Sequence, residues 1–128
     1  VKLVLNMLWF NSFVATTEAL LLGVKAGVDL EVLRQSLIGS PCNSILLERD
    51  IVGMLKDGDY DEGFAVALAC KDLRLAGDLA RSVGVPMEVG ATVENVYRRA
   101  RARYGDKAGE MIPAKMYEDD TNTPLRFK

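Results

Sequence analysis

Histidine is absent from the 128 residues. Triads built on a His base and zinc sites with His ligands are thereby excluded, and no metal-ligating set is read from the chain. Cysteine is scarce. Cys42 and Cys70 lie far apart and outside any C-x-x-C pattern, so they read as buried thiols in a reducing compartment, with the cytoplasm as the expected location. No G-x-G-x-x-G or P-loop occurs, so nothing here can cradle a dinucleotide or a nucleoside triphosphate by itself. Lys and Arg number 16 against 18 Asp and Glu, a net charge of −2, which leaves no footprint for nucleic acid. No repeat or low-complexity segment interrupts the chain. No stretch alternates with period two over a useful length, so no strand is expected.

What is present is helical periodicity. Residues 2–26 carry Leu3, Met7, Phe10, Val14, Leu21, Leu22 and Val24 at helical spacing, and Leu5, Leu8, Trp9, Phe13 and Leu20 fill much of the rest. A helix apolar nearly all round is buried on more than one side, in the middle of a bundle or in an intermolecular contact. Lys2 and Asn6 interrupt its start and no small-residue cleavage site follows, which argues against a signal peptide. Asn11, Ser12, Thr16, Thr17 and Glu18 make it too polar for a membrane span. The missing initiator Met and a start in mid-pattern raise the expectation of a piece cut from something longer.

The remaining punctuation predicts helices at 30–38, 44–55, 64–83, 87–104 and 107–119. Asp29 caps the second helix, and Asn43 or Ser44 the third. Gly39, Gly84 and Gly105 act as stops, and Pro86 stands at a first turn. "KDGDYDEG" reads as a polar loop, and "DDTNTPLRFK" as a tail. The expected fold is an all-α bundle of about six helices in one domain, residues 1–128, with the first helix long and buried.

Three stretches invite a chemical reading. Lys2 and Asn6 stand at i and i+4, on one face of the first helix. A lysine among leucines can have its pKa lowered by desolvation and so serve as a general acid or base, and Asn6 could bind the same small substrate. An idle, exposed lysine is the plainer reading of the spacing alone. Lys71 lies in "FAVALACKDLRLA", where a polar stripe of Lys71, Asp72, Arg74 and Asp78 is the plain reading. Arg98, Arg99, Arg101 and Arg103 crowd the end of one helix, where cations oppose its negative pole; a solvated basic face explains them better than a phosphate site.

Taken in order, "KLVLN", "TTEALLLGVKAGVDLEVL", "GSPCNS" and "GFAVALACKDLRLAGDLARSVGVPMEV" resemble the C-terminal helical domain of the β-hydroxyacid dehydrogenases. That family includes 3-hydroxyisobutyrate dehydrogenase, tartronate semialdehyde reductase and relatives of 6-phosphogluconate dehydrogenase. The resemblance implies Lys2 as the catalytic acid/base and Asn6 as a substrate-binding residue. It places Lys71 near the cofactor at the nicotinamide end, with Phe64 packing near the nicotinamide. It implies hydride transfer between NAD or NADP and a small hydroxy acid, and self-assembly into dimers or tetramers through this domain. The family's N-terminal dinucleotide-binding domain is absent here, so the chain alone is expected to be inactive and to bind little cofactor. Nucleic acid and membrane are not expected partners. Two other readings stand beside this one: a helical interaction module without chemistry, and an imine reductase-like domain, against which Lys2 argues.

Overall fold

The computed structural model describes all 128 residues, Val1–Lys128. It contains six α-helices: α1 (Lys2–Lys25), α2 (Leu30–Ile38), α3 (Val52–Asp57), α4 (Val66–Val83), α5 (Glu88–Tyr104) and α6 (Ile112–Thr121). A single π-helical turn, Leu46–Asp50, precedes α3. There is no strand, only one isolated antiparallel bridge between Ala65 and Gly109. The all-α expectation therefore holds.

Helix α1 is the axis of the bundle and packs against α2, α4, α5, α6 and the π-turn. By length and apolar composition alone it could cross a membrane, yet here Phe10, Phe13, Val14, Thr17, Leu20 and Leu21 form a buried face inside the protein. Phe10 meets Tyr97 of α5 at 5.2 Å between ring centres, and Trp9 stacks on Phe13 at 5.5 Å. Aromatic pairs of this kind add about 0.5–1.5 kcal/mol each beyond their buried area. The rest of the apolar surface of α1 stays in water: Val4, Leu5, Leu8 and Leu22 are all more than half exposed. The helix is thus buried along one side, and its first turns carry an uncovered apolar strip.

Local caps follow the sequence. The Asp29 carboxylate accepts from the Val32 N–H at 3.2 Å, and the Ser44 hydroxyl accepts from the Leu47 N–H at 3.1 Å. Beyond them, three departures from the sequence reading have long-range causes. First, the expected helix at 44–55 is broken by the π-turn, where the Ile51 N–H donates to the Leu46 carbonyl five residues back at 3.1 Å. Second, the last helix starts at Ile112 instead of 107. The intervening carbonyls are engaged elsewhere: Ala108 and Asp106 accept from the Val66 and Ala67 N–H groups at 2.7 and 3.4 Å. These bonds satisfy the orphan donors at the start of α4, which has no side-chain cap. Third, the C-terminal segment is no loose tail. Leu125 is fully buried, and the Phe127 N–H donates to the Leu55 carbonyl at 2.9 Å.

The thiols also divide. Cys70 is buried on α4 as expected, but Cys42 is exposed, because it sits on the turn between α2 and the π-turn and not on a helix face.

Candidate active site

The first two turns of α1 form one wall of an open cleft of about 600 Å³, contributing Lys2, Leu5, Asn6, Trp9 and Phe10. The other walls come from Asp50 of the π-turn, Asp61 and Phe64 of the loop before α4, and Glu110 and Met111 before α6. The structure thus brings together three of the four residues singled out from the sequence: Lys2, Asn6 and Phe64.

Lys2 is exposed, and its leucine neighbours Leu5 and Leu8 are exposed with it. The apolar burial expected around its ammonium is not formed by these residues alone. Asn6 is half-buried and held in place, since its Nδ2 donates to Asp72 Oδ2 at 3.0 Å. One N–H and the amide carbonyl of Asn6 remain for a ligand. Phe64 tilts against Phe10, with 6.2 Å between ring centres, and presents its ring to the cleft.

Lys71 lies elsewhere. It is exposed on α4 and lines a separate groove of about 660 Å³ between α4 and α5, together with Arg74, Arg98 and Arg101. Phe64 lies two residues before α4, whereas Lys71 lies on the second turn of that helix. Its neighbour Asp72 reaches the cleft side instead, through Asn6.

Sequence reasoning missed three carboxyl groups. Asp50 accepts from the indole Nε1–H of Trp9 at 2.9 Å. Burial opposes its charge, but the Trp9 bond and the adjacent Arg49 guanidinium outweigh burial and hold Asp50 below the usual carboxylate range. Glu110 behaves in the opposite way. Burial pushes its pKa up to about 8, aided by a hydrogen bond with Asp61 and by the charges of Asp61 and Asp50. Two carboxylates in contact cannot both ionise freely, so one of the pair retains a proton near neutrality. Asp61 itself has φ +59°, a left-handed backbone that few non-glycine residues adopt. In the sequence Asp50 and Glu110 fall inside the expected helices 44–55 and 107–119, and Asp61 in the polar loop, so nothing joins the three. The structure adds a π-turn at Asp50, a distortion often found at functional sites, for which the sequence carries no signal. No group of three or more Cys, Asp or Glu side chains is arranged to hold a metal ion.

Comparison with known proteins places the chain in a family. Residues 1–117 match the family described as NAD-binding of NADP-dependent 3-hydroxyisobutyrate dehydrogenase. A 2-(hydroxymethyl)glutarate dehydrogenase from Eubacterium barkeri is 32% identical over 125 residues, covering 98% of this chain and 42% of the relative. The mitochondrial 3-hydroxyisobutyrate dehydrogenase of Homo sapiens is 32% identical over 128 residues, covering 94% of this chain and 38% of the relative. Among solved structures, a 3-hydroxyisobutyrate dehydrogenase from Salmonella typhimurium superposes with a TM-score of 0.80 at 28% identity, over 91% of this chain and 40% of that one. The chain therefore spans well under half the length of the relatives it matches. With a family match that runs through all but its last residues, the chain belongs to the β-hydroxyacid dehydrogenases, as their helical domain.

Proposed function

We propose that the chain is the C-terminal, substrate-side domain of an NAD(P)-dependent dehydrogenase that oxidises a small hydroxy acid or reduces its carbonyl form. The observation that carries this reading is the convergence of Lys2, Asn6 and Phe64 on one cleft in a chain of this family. Lys2 Nζ takes the hydroxyl proton during oxidation and returns a proton to the carbonyl oxygen during reduction. Asn6, fixed by Asp72, offers its free amide groups to orient the oxygen that Lys2 serves. A bound nicotinamide would supply the hydride chemistry at the carbon that bears this oxygen.

The residues present fit the nicotinamide end of such a cofactor. Phe64 supplies an aromatic face at the cleft, and Lys71 lies on the second turn of α4, in the separate groove. The chain has no glycine-rich cradle for the phosphates, so a dinucleotide-binding domain elsewhere in the polypeptide holds them. That domain also completes the burial of Lys2, since desolvation is what lowers a lysine pKa toward neutrality. Free, unpaired thiols agree with a reducing, cytoplasmic setting.

The test is turnover by the parent enzyme carrying Lys2→Ala. Loss of a general acid/base costs about 10²–10⁴ in kcat, with cofactor affinity retained. Near-normal turnover would end the assignment. A second reading, a helical dimerisation module, is favoured by the exposed apolar side chains of Val4, Leu5 and Leu8 on α1 and of Leu68 and Leu75 on α4. The two readings are compatible, and sedimentation of the 128-residue chain checks the dimer.

A further inference from the structure

The family match stops at residue 117, and a buried polar cluster begins one residue later. Glu118 is only 4% exposed, yet both carboxylate oxygens are satisfied. Tyr60 OH donates to Oε1 at 2.5 Å, while the Leu125 N–H and Arg126 Nη1 donate to Oε2 at 2.6 and 2.9 Å. Arg126 Nη2 closes the ring by donating to Tyr60 OH at 2.8 Å. The same guanidinium lies 5.6 Å from the centre of the Tyr60 ring and fills the space beside Gly58 where a Cβ would stand. This is a charge-assisted network around one buried carboxylate, with Tyr60 and Arg126 partly open to solvent.

Tyr60 connects this cluster to the cleft. Its side chain is gripped by the C-terminal segment. Its carbonyl accepts from the Met111 N–H at 3.0 Å, and the next carbonyl, that of Asp61, accepts from the Glu110 N–H at 3.3 Å. The Asp61 N–H is tied locally to Asp59 Oδ1 at 2.9 Å. Asp61 and Glu110 therefore meet because two peptides are clamped side by side, and Tyr60 is the clamp. The left-handed backbone of Asp61 is strained for a residue with a side chain and persists only where its surroundings hold it.

We propose that Arg126 is a positioning residue for the cleft: acting through Glu118 and Tyr60, it holds Asp61 and Glu110 together in the wall opposite α1. The groups that face Glu110 are Asp61 of the loop, Asp50 of the π-turn and Tyr97 of α5, and Lys2 of α1 lines the same cleft. Releasing Tyr60 lets Asp61 and Glu110 separate and admits water, so Glu110 ionises at lower pH and the cleft becomes one charge more negative at neutrality. The consequence for an anionic hydroxy-acid substrate rests on the function proposed above, whereas the positional claim does not.

The experiment follows the Glu110 side-chain carboxyl carbon by NMR through a pH titration of the 128-residue chain. Its variants are Arg126→Ala, Arg126→Lys and Tyr60→Phe. The parent chain is expected to titrate Glu110 near 8. Arg126→Ala and Tyr60→Phe lower the midpoint by about one unit or more, a tenfold loss of proton affinity, and Arg126→Lys, which keeps a cationic donor, falls between them and the parent. Tyr60→Phe removes a single hydroxyl and keeps the ring, so it remains readable even where Arg126→Ala compromises folding. An ordinary carboxylate midpoint in the parent chain, or a midpoint that stays put in both Arg126→Ala and Tyr60→Phe, overturns the proposal. Normal turnover by Lys2→Ala would sink the acid/base role and leave this readout untouched.

Discussion

Gly109→Ala probes the tightest backbone approach at any glycine of the chain. An ideal Cβ at position 109 would overlap the Tyr60 carbonyl oxygen and lie 2.6 Å from the Tyr60 carbonyl carbon and 2.7 Å from that of Asp61. All three are backbone atoms, so no side chain can swing away. Gly109 is not among the glycines with positive φ, and alanine can adopt its backbone conformation; the cost is therefore steric. Relief requires the 60–61 peptide to move away from 109–111 by more than an ångström. That movement breaks the Met111 N–H to Tyr60 and Glu110 N–H to Asp61 bonds. Two backbone hydrogen bonds at about 1 kcal/mol each, with residual strain, give a loss of about 2–3 kcal/mol. Unfolding entropy of about 2.1 cal/mol/K per residue makes this a drop of about 7–11 °C in Tm for a chain of this length. Gly84→Ala is the control. It has nothing within 4 Å of its added Cβ but sits at φ +75°, so it costs only the left-handed penalty of about 1 kcal/mol, or about 4 °C. Thermal unfolding followed by circular dichroism at 222 nm reads both. If Gly109→Ala melts within about 2 °C of the parent, or above Gly84→Ala, the close approach is not what holds the loop.

Glu110→Gln should flatten the alkaline side of the stability profile. The folded pKa of Glu110 is raised from an ordinary 4.5 to about 8, so between these values the unfolded chain binds fewer protons and stability falls as pH rises. The parent is expected to lose about 1–2 kcal/mol over that window, discounted for the half-exposed site, and urea denaturation at pH 5 and pH 8 should show Gln stabilising only at the higher pH. Trp9 is the sole tryptophan and its indole is held by Asp50. Its emission should change on acidification with a midpoint below the usual aspartate range, and Asp50→Asn should abolish that change; an unaltered acid transition would show that Asp50 does not report there.

Features written in neighbouring residues were legible in the sequence, and features that depend on distant partners were not. The start of α2 could be placed because Asp29 caps the amide three residues on, and the end of α4 because Gly84 supplies the left-handed turn. Lys2 and Asn6 could be paired because one helical turn separates them. The partner that orients Asn6 could not be read, since Asp72 is 66 residues away. Likewise the start of α6 depends on carbonyls lent to α4, forty residues earlier in the chain, a demand invisible to any local window. The three cleft carboxyls come from the π-turn, a loop and a pre-helical segment, so no spacing rule joins them.

The C-terminal segment is the instructive case, because a signal was present and was outweighed by composition. "DDTNTPLRFK" is rich in turn formers and polar groups, which reads as a tail. Within it Leu125 and Phe127 flank Arg126 in apolar–polar–apolar alternation, the pattern of an extended segment with one covered face. Alternation over three residues is too short to count alone. It gains meaning with Glu118 nearby, because a carboxylate buried to this degree needs a cation, and Arg126, on the opposite face from Leu125, is the one within reach. Tyr60 completes the site. Residues outside the family match thus hold the loop that shapes the cleft, so substitutions there are expected to alter the site with no contact to a ligand.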